Sequence, residues 1–213
     1  LKKIYIPKVE IVGNSFMFHN NSVMEVFMPS VKSIGNNFFD SNQIVRTLEI
    51  PLAEKIGDNF LENNGLINEL YLPSTINIGS NFLKQNQMLE KLIIPNVIEL
   101  KSGTLQHNNN LKELYAPRVV KIGNNVLELN NSLTEFESLY LEEVGDNFLK
   151  YNRWLEKFIA PNLRKIGLYI LSSNNVLIDV DISSLIDECK DNLSKYMKEM
   201  LKQETPYTLK LKY

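Results

Sequence analysis

Apolar residues in this chain recur in a fixed order that is neither a helix's period nor a simple strand alternation. In residues 89–94, Leu89, Leu92 and Ile94 give apolar-x-x-apolar-x-apolar, and the last three residues alternate as a half-buried strand requires. A proline follows at once. Prolines stand at 7, 29, 51, 73, 95, 117 and 161, each a multiple of 22 from the first, and Leu139 fills the one place missed. Proline lacks the N–H that a ladder needs, so it ends the strand. Asparagine keeps the same period without a gap, at Asn20, Asn42, Asn64, Asn86, Asn108, Asn130, Asn152 and Asn174. A fixed period in the range of roughly 20 to 50 residues marks a solenoid, and eight copies cover residues 1–176.

The rest of each copy predicts a second short extended piece, then an Ile-Gly pair as in Ile34–Gly35, Ile56–Gly57, Ile78–Gly79, Ile122–Gly123 and Ile166–Gly167. Glycine there either takes a positive φ or lets neighbouring coils approach closely. The Asn-Asn-Phe-Leu piece that follows reads as a helical turn capped by Asn or Asp. Phe38, Phe60, Phe82 and Phe148, each followed by Phe or Leu, are the predicted filling of the coil. The periodic Asn stands where the chain turns back into a strand, and a buried amide there can bond the free N–H and C=O groups of the turn and of the next coil.

The L-x-x-I-x-I-P … I-G … N pattern resembles the leucine-rich repeats of the BspA-like type over residues 1 to about 182. This chain departs from that family in having Phe-Leu and then Asn where Ala-Phe and then Cys are usual, and in a repeat one residue shorter. The resemblance implies a leucine-rich-repeat solenoid with parallel strands on the concave face and short or helical turns on the convex face. It also implies a binding or adhesion module, of the kind displayed on or secreted from microbial cells.

Domain organisation follows the period. Leu177, Val180 and Ile182 make a ninth strand in phase, so residues 1–182 form the solenoid and 183–213 a C-terminal cap and tail. Ser183 or Ser184 can cap a helix whose apolar face is Ile186, Cys189, Leu193, Met197 and Met200. That helix closes an otherwise wet end, or else joins a further domain or partner helix. The tail PYTLKLKY alternates like a strand, and either lies against the cap or continues elsewhere. The chain opens at Leu1 in phase and without an initiator Met, as a processed or truncated start would.

Composition removes several function classes. With 23 basic and 25 acidic residues the net charge is −2, which gives no electrostatic footprint for nucleic acid. No apolar run reaches the roughly 18 residues of a membrane helix. A single cysteine, Cys189, excludes an internal disulfide framework and a cysteine-based zinc site. The only histidines, His19 and His107, hold the same repeat position four coils apart, on the order of 20 Å at ~4.8 Å per strand, so they share neither a metal nor a proton. No phosphate loop or nucleophile motif is present. The reading is therefore non-enzymatic, without cofactor or metal. Asn20-Asn21-Ser22, Asn130-Asn131-Ser132 and Asn192-Leu193-Ser194 match the glycosylation acceptor pattern, as chance allows in a chain this rich in Asn.

What remains is the outward side of the strands. Between the last two apolar residues of each strand stand Tyr5, Phe27, Glu49, Tyr71, Ile93, Tyr115, Glu137, Ile159 and Asp181. Two residues earlier the outward series is polar: Lys3, Glu25, Thr47, Glu69, Lys91, Glu113, Glu135, Lys157 and Asp179. Tyr5, Phe27, Tyr71, Ile93, Tyr115 and Ile159 thus form a candidate partner-binding stripe, with the consecutive Tyr71, Ile93 and Tyr115 at its centre. Strand-favouring residues that support cross-strand neighbours would give the same pattern. A protein partner fits best and a carbohydrate also suits aromatic side chains. The alternatives are a targeting arm of a larger effector or enzyme, and a structural surface protein. One copy is irregular: in NVIELKSGTLQHNNN, Lys101 and Ser102 take the places of Gly and Asn, and Thr104 that of Phe. This is either a degraded repeat or a ligand site, and it predicts an ordinary backbone or strain at Lys101 and a less filled interior at Thr104.

Overall fold

The computed structural model describes residues 2–186, 189 and 210–212. In chain order the strands are β1 (Lys3–Tyr5), β2 (Ile11–Val12), β3 (Glu25–Phe27), β4 (Ser33–Ile34), β5 (Thr47–Glu49), β6 (Lys55–Ile56), β7 (Glu69–Tyr71), β8 (Lys91–Ile93), β9 (Glu99–Leu100), β10 (Glu113–Tyr115), β11 (Lys121–Ile122), β12 (Glu135–Glu137), β13 (Glu143–Val144), β14 (Lys157–Ile159), β15 (Lys165–Ile166), β16 (Asp179–Asp181) and β17 (Lys210–Lys212). Each coil contributes one three-residue strand, and neighbours pair in parallel with partners 22 residues apart, as in Tyr71 beside Ile93. The two-residue strands stack the same way on a second side, as in Ile122 beside Val144. The expected solenoid is present. Its ninth strand, β16, is followed by a tenth, because β17 from the tail lies parallel to β16 with Val180 beside Leu211. The C-terminal helix expected from Ser183 lies outside the described residues apart from its first few and Cys189, which packs half-buried against the core.

The convex turn is not helical, contrary to the sequence expectation. Every one of the eight coils carries three residues with positive φ, two apart, such as Asn59 (56°), Leu61 (51°) and Asn63 (53°). A helix needs consecutive negative φ and bonds within its own segment, whereas these N–H groups reach other coils. Asn59 donates to the Ser80 carbonyl (2.8 Å) and Asn63 to the Lys84 carbonyl (2.8 Å) in the coil ahead, while Leu61 donates to the Phe38 carbonyl (2.9 Å) in the coil behind. Asn tolerates this left-handed geometry. Leu costs roughly 1–2 kcal/mol in it. The middle position nonetheless holds Phe39, Leu61, Leu83, Leu105, Leu127, Leu149 and Leu171, all completely buried. Burying such a side chain contributes about 1.5–3 kcal/mol, enough with the inter-coil bond to offset the strain.

From the fourth coil onward the periodic Asn completes this arrangement, whereas the buried Nδ2 groups of Asn42 and Asn64 have no partner. Asn86, Asn108, Asn130, Asn152 and Asn174 donate Nδ2–H to the carbonyls of Leu61, Leu83, Leu105, Leu127 and Leu149 at 2.8–2.9 Å. The acceptor is each time the left-handed residue of the preceding coil, whose carbonyl points into the core. Leaving such a group unpaired costs about 1–3 kcal/mol. Two of the glycosylation matches are structural by the same token: Asn130 is buried, and Asn20 Oδ1 accepts from the N–H groups of Ser22 and Val23, while Asn192-Leu193-Ser194 lies outside the described residues.

Of the two readings of the Ile-Gly glycines, close approach holds, since none of them has a positive φ. A Cβ on Gly35 would stand 2.5 Å from Asn14 Oδ1 and 2.7 Å from its backbone N. The crowding arises because Asn and Asp at the following position cap the next coil rather than their own turn. The Asn36 N–H donates to Asn14 Oδ1 (2.9 Å), Asp58 N–H to Asn36 Oδ1 (2.9 Å) and Ser80 N–H to Asp58 Oδ1 (2.7 Å). Lys101 breaks the Gly series one coil beyond Ser80, a short side chain in this ladder, with an ordinary backbone conformation. Gly103 occupies a left-handed position (φ 74°) that Asn fills in most other coils, so it is in phase after all.

Phe16, Phe38, Phe60 and Phe82 stack through four coils with centroids 5.2–5.7 Å apart and planes within 12°. Thr104 ends the column. Its side chain is buried and Oγ1 has no partner. The aromatic volume returns from the strand side, where Phe136 and Phe158 meet Phe148 edge-on at 5.3 and 6.1 Å. Replacing Thr104 by Val is expected to stabilise the protein by about 1 kcal/mol, because it removes an unsatisfied buried hydroxyl. Asn130→Ala is expected to destabilise by about 1–3 kcal/mol by orphaning the Leu105 carbonyl. Urea denaturation with unchanged m-value measures both.

Candidate interaction face

Strand alternation points the centre residue of each three-residue strand into the core and its two neighbours outward. Tyr5, Tyr71 and Tyr115 are 65%, 61% and 52% exposed, and Phe27, Ile93 and Ile159 are half-buried on the same side. The register brings Tyr71, Ile93 and Tyr115 side by side. Tyr5 and Phe27 form a separate pair, with Lys3 Nζ 4.3 Å from the Phe27 ring centre. Ile159 lies alone between Glu137 and Asp181.

The stripe is therefore not continuous, and the strand ladder is not continuous either. Among the described residues it divides into blocks β1-β3-β5, β7-β8-β10 and β12-β14-β16-β17. Inside a block Leu72 N–H donates to Ile93 C=O (3.0 Å) and Ile94 N–H to Tyr115 C=O (3.0 Å). The equivalent bonds from Ile50 and Ala116 have no counterpart among the described residues.

Charge marks one of the two seams. Within blocks the outward polar residues alternate in sign: Lys3–Glu25–Thr47, Glu69–Lys91–Glu113 and Glu135–Lys157–Asp179. Lys91 Nζ pairs with Glu113 at 2.7 Å and Lys3 Nζ with Glu25 at 3.6 Å. Between blocks Glu113 meets Glu135 at the seam between β10 and β12, whereas the seam between β5 and β7 sets neutral Thr47 against Glu69, and its Glu49–Glu69 diagonal is matched by Glu25–Glu49 inside an intact block. Opposed like charges destabilise a strand pair. At the second seam the inward residues are also small, Ala116 and Ser138, as is Ala160 in the following coil, where the remaining coils have Ile, Leu or Met, and Leu139 replaces the periodic proline.

Each seam opens as a cleft. One, of about 340 Å³, has walls that include Glu49, Pro51, Glu69, Tyr71 and Ile93. The other, of about 350 Å³, includes Glu113, Tyr115, Pro117, Glu135, Glu137 and Tyr140. Sequence reasoning missed both, although the succession Glu113, Glu135 in the polar series signalled the second. It also missed an exposed apolar row at Ile76, Ile98 and Val120 on the adjoining side, and the exposed Trp154.

Elsewhere the titratable groups are scattered. Hydrogen bonds from Lys165 and Lys121 hold the Glu143 carboxyl below its ordinary range on the second strand side, and burial raises that of Glu62 on the convex turn. His19 and His107 sit on left-handed convex positions four coils apart. Among the described residues no group of three or more His, Cys, Asp or Glu is placed to hold a metal ion, and no helix is long and apolar enough to cross a membrane.

The coil geometry agrees with a family comparison. A family model described as a BspA type leucine rich repeat region matches residues 10–134 and 106–209. The chain belongs to the BspA-type leucine-rich-repeat family. A solved leucine-rich repeat protein from Bacteroides ovatus is similar in fold, with a TM-score of 0.59 and 16% sequence identity. The similarity covers 75% of this BspA-type chain and 49% of the other, so the chain spans about half the length of that relative. No curated protein matches the sequence.

Relieving the charge opposition at the second seam tests its origin. Glu135→Gln is expected to slow hydrogen exchange of the amide at position 135 about two- to fivefold, from a like-charge cost of about 0.2–1 kcal/mol. The Glu113 amide, already bonded to the Glu90 carbonyl at 3.1 Å, is expected to stay unchanged.

Proposed function

We propose that this chain is a non-enzymatic protein-interaction or adhesion module that binds a protein partner through its concave strand face. The reading is carried by the adjacent placement of Tyr71, Ile93 and Tyr115 on consecutive strands, two of them more than half exposed. An apolar centre rimmed by charged residues is the common build of a protein interface. Aromatic residues contribute large contact area at low entropy cost. Membership of a repeat family supports an interaction role in general, and the strand face is our own assignment. Tyr5, Phe27 and Ile159 extend the same face at its two ends.

A second reading makes these coils the recognition arm of a longer effector. It is favoured by the relative from Bacteroides ovatus, of which only 49% aligns with this chain. The full reading frame of the gene separates the two, since a further catalytic domain supports the effector and a surface anchor supports adhesion.

Affinity capture with the purified chain, from lysates of its own cells and of a host, tests the concave face. Proteins retained by the unmodified chain are expected to be lost with the triple variant Tyr71→Ser/Ile93→Ser/Tyr115→Ser. Its circular dichroism and melting curve should stay nearly unchanged, because the side chains point to water. Capture that survives the triple substitution rules out this face.

A further inference from the structure

We infer that the concave face selects an extended protein segment in which two basic side chains, four residues apart, flank an apolar one. This rests on the strand face being the contact surface and adds the chemistry of what it contacts. The central five concave strands, β5, β7, β8, β10 and β12, project five carboxylates outward, Glu49, Glu69, Glu113, Glu135 and Glu137, against the single cation Lys91. Lys91 is engaged by Glu113 at 2.7 Å, and Glu137 is engaged by Lys157 at 3.6 Å. Glu49, Glu69 and Glu135 have no ion-pair partner among the described residues. This surplus lies in a chain whose overall charge is only −2, so it is a local field.

The carboxylates are not spread evenly. They stand on the walls of the two seam clefts, and each cleft pairs them with a tyrosine and a proline, Tyr71 and Pro51 in one, Tyr115 and Pro117 in the other; the lysine on each wall is already held, Lys91 by Glu113 at 2.7 Å and Lys112 by Glu90 at 2.9 Å. A cation entering such a cleft meets a carboxylate at its head and an aromatic face along its stem. Arginine suits the site better than lysine, because a planar guanidinium stacks on tyrosine while bonding a carboxylate.

Geometry then sets the spacing. The seams are three strand steps apart, about 14 Å at ~4.8 Å per step, with Ile93 midway between them. Residues i and i+4 of an extended segment are about 13 Å apart at ~3.3 Å per residue, and residue i+2 lies on the same face. A basic–x–apolar–x–basic segment running along the solenoid axis therefore places one cation in each cleft and its apolar residue on Ile93. The charge sign makes nucleic acid or an anionic membrane a poor occupant.

Panning a displayed library of random heptapeptides on the purified whole chain tests this. Two variants with checked folding run in parallel: Glu49→Gln/Glu135→Gln, and the triple serine variant of Tyr71, Ile93 and Tyr115. Enrichment of basic–x–apolar–x–basic peptides is expected, with recovery about tenfold lower on the glutamine variant, as loss of two modest ion contacts gives. Peptides that lack paired basic residues but still depend on the three apolar side chains overturn the basic-partner inference and leave the concave-face reading standing. Peptides retained equally by both variants overturn both. A library that yields no enriched sequence also overturns the inference.

Discussion

The fold depends on one constraint: a chain with a 22-residue coil must turn sharply on its convex side without a helix. It does so with three left-handed residues per coil, and that conformation aims alternate N–H groups forward and backward along the solenoid. The turn cannot be satisfied within its own coil. Its donors need the coils before and after it, and in the turns of Leu61, Leu83, Leu105, Leu127 and Leu149 the inward carbonyl accepts from the buried Asn of the following coil. Local strain is thus tied to long-range bonding, which is why each coil is stable only within a stack.

Residue identity along the turn follows from this. Asn is at home in left-handed backbone, and its side chain adds inter-coil bonds such as Asn59 Nδ2 to Asn37 Oδ1 at 2.7 Å. Leu and Phe are poorly suited to that backbone, yet they hold the middle position because it faces the core. The irregular fifth coil fits the same account. Gly103 stands on a left-handed site, Lys101 lies above the short Ser80, and Thr104 gives up an aromatic stack that Phe136 and Phe158 rebuild from the opposite wall. What looks like a loop with its own purpose is a set of local exchanges under a common constraint.

Much of this was legible in the sequence. Proline and asparagine at a strict 22-residue interval identify a solenoid, and strand alternation identifies Tyr71, Ile93 and Tyr115 as outward. The turn was not legible, because Asn favours helix caps and left-handed sites alike, and Leu61 or Phe39 argues against a positive φ until its burial is known. The seams were not legible as breaks, because outward positions collected strand by strand read as one continuous ladder. One of them had a visible sign, Glu113 followed by Glu135 in a series where every pairing within a block is opposite in sign or neutral. Tail residues 210–212 alternate like a strand, but only the fold shows that their partner is Asp179–Asp181.

The concave face inherits its shape from these two levels. Coil-to-coil bonding on the convex side fixes the spacing of the strands, and on the concave side the strands part at two seams, one of them where like charges meet. Amide hydrogen exchange across the whole chain tests that division most directly. The left-handed turn amides of Asn59, Leu61 and Asn63 should exchange as slowly as those inside the strand blocks, and the seam amides of Ile50 and Ala116 much faster. Turn amides that exchange freely, or seam amides as protected as Leu72 and Ile94, would contradict the account.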